Sequence, residues 1–176
     1  FYELIAALEK RKSLDGIKGL WFKENGKIRN NPERPFADLN ELPDVPYHLV
    51  DVKKYMPRYM QLPTLYMQTS RGCPRDCTYC YNTVYNKRCW RALSPEKTLE
   101  RVKRVVDDFE AECIYFVDDE FFIDLNRARK IAGGMVGMDI SWQVQGTSIS
   151  DLVKMDNSYL SLLKKSGCVR MTVGAE

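Results

Sequence analysis

The sequence predicts an α/β fold with a parallel sheet, and three observations predict it. From residue 64 onward, strand signals alternate with helix signals; the strand signals are short and apolar; and each strand is followed by a polar or glycine-containing tip. The run "CIYFV" (113–117) is apolar throughout, as a strand buried on both faces of a parallel sheet must be.

In chain order, Leu4, Ile5 and Leu8 share one face of an opening helix, and "SLDG" (13–16) ends it with turn-prone residues. Asn25-Gly26 then lies between Trp21-Phe22 and Ile28, and this pair tolerates the positive φ angles of a tight hairpin turn. Residues 32–46 contain four prolines, each lacking a backbone donor, so regular structure is not expected there. This stretch reads as part of a linker, taken over 32–63, that separates residues 1–31 from a domain over 64–176.

The first strand of that domain is "TLYMQTS" (64–70), with the cysteine stretch "SRGCPRDCTYCYN" (70–82) at its tip. Ser94 can cap a helix with Pro95 at its first position, and Leu99, Val102, Val105, Val106 and Phe109 recur at helical spacing. The second strand (113–117) ends in Asp118-Asp119-Glu120. A helix follows at about 124–137, interrupted by Gly133-Gly134. A third strand (140–145) ends in Gly146-Thr147-Ser148, a third helix spans 157–165, and a fourth strand (168–173) ends in Gly174-Ala175-Glu176. Four strands joined by three helices make right-handed crossovers, which place every strand's C-terminal end on one side of the sheet. The cysteine loop, the acidic triplet, the Gly-Thr-Ser turn and the terminal Gly-Ala-Glu are therefore expected around one mouth. A full eight-unit barrel needs ~200 residues or more, which leaves half a barrel, a smaller variant or a truncated piece. The chain opens on Phe1 and stops just after a strand, and reads as a fragment of a longer protein.

Composition sets the class only broadly. Of 176 residues, 44% are hydrophobic and 29% charged, as in an ordinary globular domain. The 27 basic and 24 acidic side chains leave a formal charge of +3, and basic clusters such as "RVKR" (101–104) fall inside a helix pattern as a solvated face, so no nucleic-acid partner is expected. No apolar run approaches the ~18 residues of a membrane span and no signal peptide opens the chain, so the expected location is the cytoplasm. Six cysteines in that compartment argue for metal or redox chemistry rather than disulfides.

Cys73, Cys77 and Cys80 follow C-x3-C-x2-C, which brings three soft thiolate ligands within reach of one metal centre. A structural zinc site takes four ligands, and Cys89 is the only nearby candidate for a fourth. A 4Fe-4S cubane has four irons, so three cysteines leave one iron open to a small molecule. Cys113 and Cys168 begin apolar strands and read as small buried hydrophobes. His48, the only histidine, reads as linker packing.

The C-x3-C-x2-C motif, with Tyr79 before its last cysteine and in the first strand-tip loop of a parallel β/α array, resembles the radical S-adenosylmethionine (radical SAM) superfamily. The resemblance implies a partial (β/α) barrel in which Cys73, Cys77 and Cys80 hold a 4Fe-4S cluster. It implies that S-adenosyl-L-methionine chelates the open iron, that Tyr79 packs near the adenine, and that an external electron donor of flavodoxin or ferredoxin type reduces the cluster. Asp118, Asp119 and Glu120 stand where the family places a Gly-Gly-Glu motif contacting the methionyl amino group, and Glu176 matches a fourth-strand glutamate that helps hold the cofactor. "KENGKI", the proline-rich segment, Trp90, Arg91, Ser94 and "DDEFF" are similar to the class with an N-terminal cobalamin-binding domain, whose members include C- and P-methyltransferases and an oxidative cyclase. On that resemblance residues 1–31 are the tail of such a domain, and cobalamin is expected in a full-length protein rather than in this chain. Two other function classes remain open: a zinc-binding or interaction module using Cys73, Cys77, Cys80 and Cys89, and a ferredoxin-like carrier, which would want four cysteines for its cluster.

Overall fold

The computed structural model describes residues 1–174, and the chain divides into two compact units, the first Phe1–Ala37 and the second beginning at Asp38. The first unit holds helix α1 (Tyr2–Glu9) and a hairpin of β1 (Trp21–Glu24) and β2 (Lys27–Asn30). Asn25 and Gly26 adopt φ of 49° and 76°, the pair of positive angles that a two-residue turn of matching twist demands.

The second unit opens with three short 3₁₀ turns, Leu39–Glu41, Tyr47–Leu49 and Val52–Tyr55. Leu39 and Val52 are buried, and Tyr47 meets Phe109 edge-on at 5.2 Å, so this proline-rich stretch lies against the core rather than free of it. There follow β3 (Arg58–Tyr59), β4 (Leu62–Met67), β5 (Ser70–Arg71), α2 (Asn82–Tyr85), β6 (Arg91–Ala92), α3 (Pro95–Phe109), β7 (Cys113–Phe116), α4 (Leu125–Met135), β8 (Ser141–Ser148), α5 (Ile149–Leu152), α6 (Asn157–Lys165) and β9 (Cys168–Gly174). The main sheet has the order β3-β4-β7-β8-β9. All its pairs are parallel except β3 with β4. It is a curled, mostly parallel half-barrel, consistent with a partial β/α barrel.

Register explains which face is core. Leu65, Ile114 and Trp142 lie side by side, as do Met67, Phe116 and Val144, and all six are buried in one apolar cluster with Val102, Val105, Ile131, Met135 and Leu163 of the helices. The alternate positions Tyr66, Tyr115 and Gln143 point to the other face. Removing a fully buried side chain such as Phe116 from water contributes about 2–3 kcal/mol.

Helix α3 starts where the sequence places it: Ser94 Oγ accepts from Lys97 N at 3.1 Å, Pro95 occupies the first turn, and Glu110 ends the helix at φ 57°. The Gly133-Gly134 pair in α4 has a physical reason. A Cβ on Gly134 would lie 2.3 Å from Leu99 Cδ1, whereas one on Gly133 would meet nothing within 4 Å, so it is Gly134 that lets α3 and α4 approach closely.

The short elements β3, β5, α2, β6 and α5 add to the sequence reading, and one expected turn is replaced. Gly146-Thr147-Ser148, expected as a turn, belongs to β8, because register shifts at Trp142/Gln143 and Val144/Thr147 carry the strand past an irregularity and on to pair Thr147 with Val173. Among the described residues no helix is long and apolar enough to cross a membrane.

Candidate active site at the strand tips

The cysteine loop is closed by its own small ladder, in which Ser70 and Arg71 pair antiparallel with Ala92 and Arg91. Gly72 enters the loop at φ 83°, and a Cβ there would sit 2.2 Å from the Cys89 carbonyl oxygen, so glycine alone fits. Inside the loop the Cys80 amide donates to the Cys77 carbonyl at 3.1 Å. All six cysteines are free thiols; Cys73, Cys77 and Cys80 are half-buried and Cys89 is exposed. Burial pushes the Cys73 thiol up, opposed by a backbone hydrogen bond at Arg75.

The acidic triplet divides its three side chains among different tasks. Asp118 is fully buried and accepts from Thr69 N at 2.6 Å, from Thr69 Oγ1 at 2.8 Å and from Ser70 N. Burial pushes its carboxyl up, and those bonds together with the Arg127 charge pull it back. Arg127, itself buried, completes this network by donating to Leu93 O at 2.7 Å and Thr69 Oγ1 at 2.8 Å. Asp119 accepts from Gly72 N at 2.7 Å through one oxygen and from the Tyr81 hydroxyl through the other. That bond to Asp119, with burial behind it, pushes the Tyr81 phenol to about 12.

Glu120 points elsewhere. It is 4% exposed, and its Oε1 has no hydrogen-bond partner. Burial and then the neighbouring Asp151 charge push its carboxyl to about 7, against the pull of Arg75. Arg75, between the first two cysteines, places Nε 4.0 Å from Glu120 Oε2 and donates through Nη2 to Ser148 Oγ and Asp151 Oδ2, both at 2.5 Å. Asp151 is buried and also accepts from Lys154 and Ser148.

These tips enclose a cavity of about 860 Å³. The cysteine loop contributes Cys77, Tyr79 and Cys80 to its wall, β7 the acidic triplet, β8 Thr147 and Ser148, and β9 Thr172 to Gly174. The four tips expected around one mouth thus meet, apart from Glu176, which lies outside the described residues. Sequence reasoning passed over Arg75, Asp151, Thr69 and Arg127. The first sits inside the motif's own spacer, and the others carry no local pattern that marks them.

Among the described residues no three Cys, His, Asp or Glu side chains converge as the ligands of a single ion would. A cubane spreads its thiolates over separate irons, so three half-buried soft donors in one loop, two of them on the cavity wall, suit a cluster better than a point ion. The orphaned Glu120 Oε1, and Thr147 Oγ1, which is buried without a partner on the same wall, offer unfilled polar positions to a bound molecule.

A model of the radical SAM superfamily matches residues 67–176. The chain is 34% identical along its whole length to an uncharacterized methyltransferase of Pyrococcus horikoshii, covering 38% of that protein. It is 26% identical over 99% of its length to the anaerobic magnesium-protoporphyrin IX monomethyl ester cyclase of Synechocystis, covering 34% of it. Over 99% of its length it is also 25% identical to the hopanoid C-3 methylase of Methylococcus capsulatus, covering 32%. The chain spans about a third of the length of these curated relatives.

Proposed function

This chain belongs to the radical SAM superfamily, and from that premise we propose that it forms the cluster- and cofactor-binding part of an enzyme that cleaves S-adenosyl-L-methionine reductively. Cys73, Cys77 and Cys80 are assigned as the ligands of a 4Fe-4S cluster. The cavity beside them is assigned to S-adenosyl-L-methionine, with Tyr79 and Glu120 among its walls. When bound, the cluster supplies the electron that breaks the cofactor's carbon-sulfur bond, giving methionine and a 5'-deoxyadenosyl radical. The residues bind and orient. Cys77 and Cys80 open onto the cavity, and Glu120 Oε1 offers an acceptor to a cationic or hydroxyl group of the cofactor.

The observation that carries this reading is the meeting of the three-cysteine loop with the tips of three further strands around one cavity. For the whole protein the names of the relatives favour methyl transfer, with oxidative cyclisation as the rival within the class. Cobalamin on an upstream domain, with residues 1–31 as its tail and 32–63 as a linker whose part from Asp38 onward packs into the second unit, belongs to the same proposal, as does an external electron donor.

Anaerobic reconstitution tests it. Close to four irons and four sulfides per chain are expected, lost in Cys77→Ala and kept in Cys89→Ala, with 5'-deoxyadenosine formed under dithionite. One zinc per chain that depends on Cys89 would show a structural metal site instead.

A further inference from the structure

We infer that Asp119 is a positioning residue that tethers both ends of the cysteine loop, rather than a group that binds the cofactor's ammonium. The inference rests on the cluster reading above and deepens it. All three cysteines lie between Gly72 and Tyr81, and Asp119 is hydrogen-bonded to both, one carboxylate oxygen on each. A carboxylate bridging the two ends fixes the span of the loop in the way a clasp does, and charge-assisted bonds are the strong ones.

Three further contacts show that the tether is built into the fold. The neighbouring Asp118 holds Thr69 and Ser70, just ahead of Arg71 and Gly72, so consecutive positions of one strand tip both anchor the entry to the loop. Gly146 of β8 packs directly on the tip backbone, since a Cβ there would lie 2.3 Å from the Asp119 carbonyl oxygen, so the strand tip that carries the carboxylate is itself hemmed in. Arg75 reaches from the middle of the loop to Ser148 and Asp151, which fixes the loop's centre independently of its ends. Both Asp119 oxygens are therefore engaged, while Glu120 Oε1 and Thr147 Oγ1 on the same cavity are buried without a partner.

The test uses the full chain, first free of cluster and then reconstituted. Hydrogen exchange of the Cys80 amide is the reporter, because that group bonds to Cys77 and not to Asp119. Asp119→Ala is expected to speed its exchange about a hundredfold and Tyr81→Phe roughly tenfold, as loss of two charge-assisted bonds or one implies. Tyr81→Phe added to Asp119→Ala should change nothing more. After reconstitution, Asp119→Ala is expected to hold fewer irons than the parent, while the fraction that loads keeps the change in electron paramagnetic resonance that S-adenosyl-L-methionine causes. Unchanged Cys80 exchange, or full iron content with that change abolished, overturns the inference and assigns Asp119 to the cofactor. If the parent chain itself takes up no iron, the cluster reading fails, and the exchange data still decide the tether.

Discussion

Replacing Gly146 by alanine puts one methyl group where the fold has no room for it. The added Cβ would sit 2.3 Å from the Asp119 carbonyl oxygen, 2.6 Å from its carbon and 2.7 Å from the Asp118 oxygen. Non-bonded carbon and oxygen rarely approach closer than about 3.3 Å, so the two strand tips must part by about 1 Å. The opposing atoms are backbone, with no rotamer to yield, and the Phe121 amide bond to the Gly146 carbonyl, 3.0 Å long, lies at the same junction. Overpacking of this kind costs about 1–3 kcal/mol. For a chain of this size that lowers the melting temperature by roughly 2–4 °C per kcal/mol. Urea and thermal melts of the cluster-free chain, followed by the fluorescence of buried Trp142, measure it. Because the displaced tip carries Asp119, iron uptake should fall together with stability. A destabilisation under about 0.5 kcal/mol with undiminished iron uptake would refute the steric argument, since surface-like changes stay in that range.

Other substitutions separate the remaining contributions. Gly133→Ala, with nothing within 4 Å, should stabilise α4 by about 0.5–1 kcal/mol in a denaturant titration, whereas Gly134→Ala must displace Leu99 and should destabilise it. Equal effects of the two would remove the close-approach account of the glycine pair. Arg127→Met leaves the Leu93 carbonyl without its donor, removes the guanidinium bond to Thr69 Oγ1 and leaves Asp118 without its countercharge, so a loss of about 3–5 kcal/mol is expected on melting. Burial lifts Glu120 from 4.5 to about 7, so its folded form holds a proton more tightly than its unfolded form; the stability this adds is complete below pH 4.5 and is lost as pH rises through 7. The cluster-free parent should therefore lose on the order of 2 kcal/mol relative to Glu120→Gln between pH 5 and pH 8. Parallel stability profiles for the two would exclude a buried carboxyl at that position.

Much of this arrangement was legible in the chain itself. Asn25-Gly26 announced the hairpin, Ser94-Pro95 the start of α3, and the strand-helix alternation the parallel half-barrel, because each depends on the backbone preferences of a few neighbouring residues. The cysteine spacing was equally local. Elements held by partners distant in sequence were not legible. The pairing of Ser70-Arg71 with Arg91-Ala92 closes the cysteine loop without any strand-like pattern, and the last residues of β8 look like a turn until β9 pairs with them.

By itself the sequence determined which residues could ligate a cluster and that four strand tips would share one side of a sheet, since ligand chemistry and chain direction are local properties. The division of labour within Asp118-Asp119-Glu120 was decided only by the tertiary structure. Three adjacent carboxylates are chemically alike along the chain. Asp118 is turned onto the loop entry and Asp119 onto both loop ends, while Glu120, packed among Arg75, Asp151 and the cavity, keeps an oxygen without a partner. What separates them is which groups, distant along the chain on either side, the fold brings to each carboxylate.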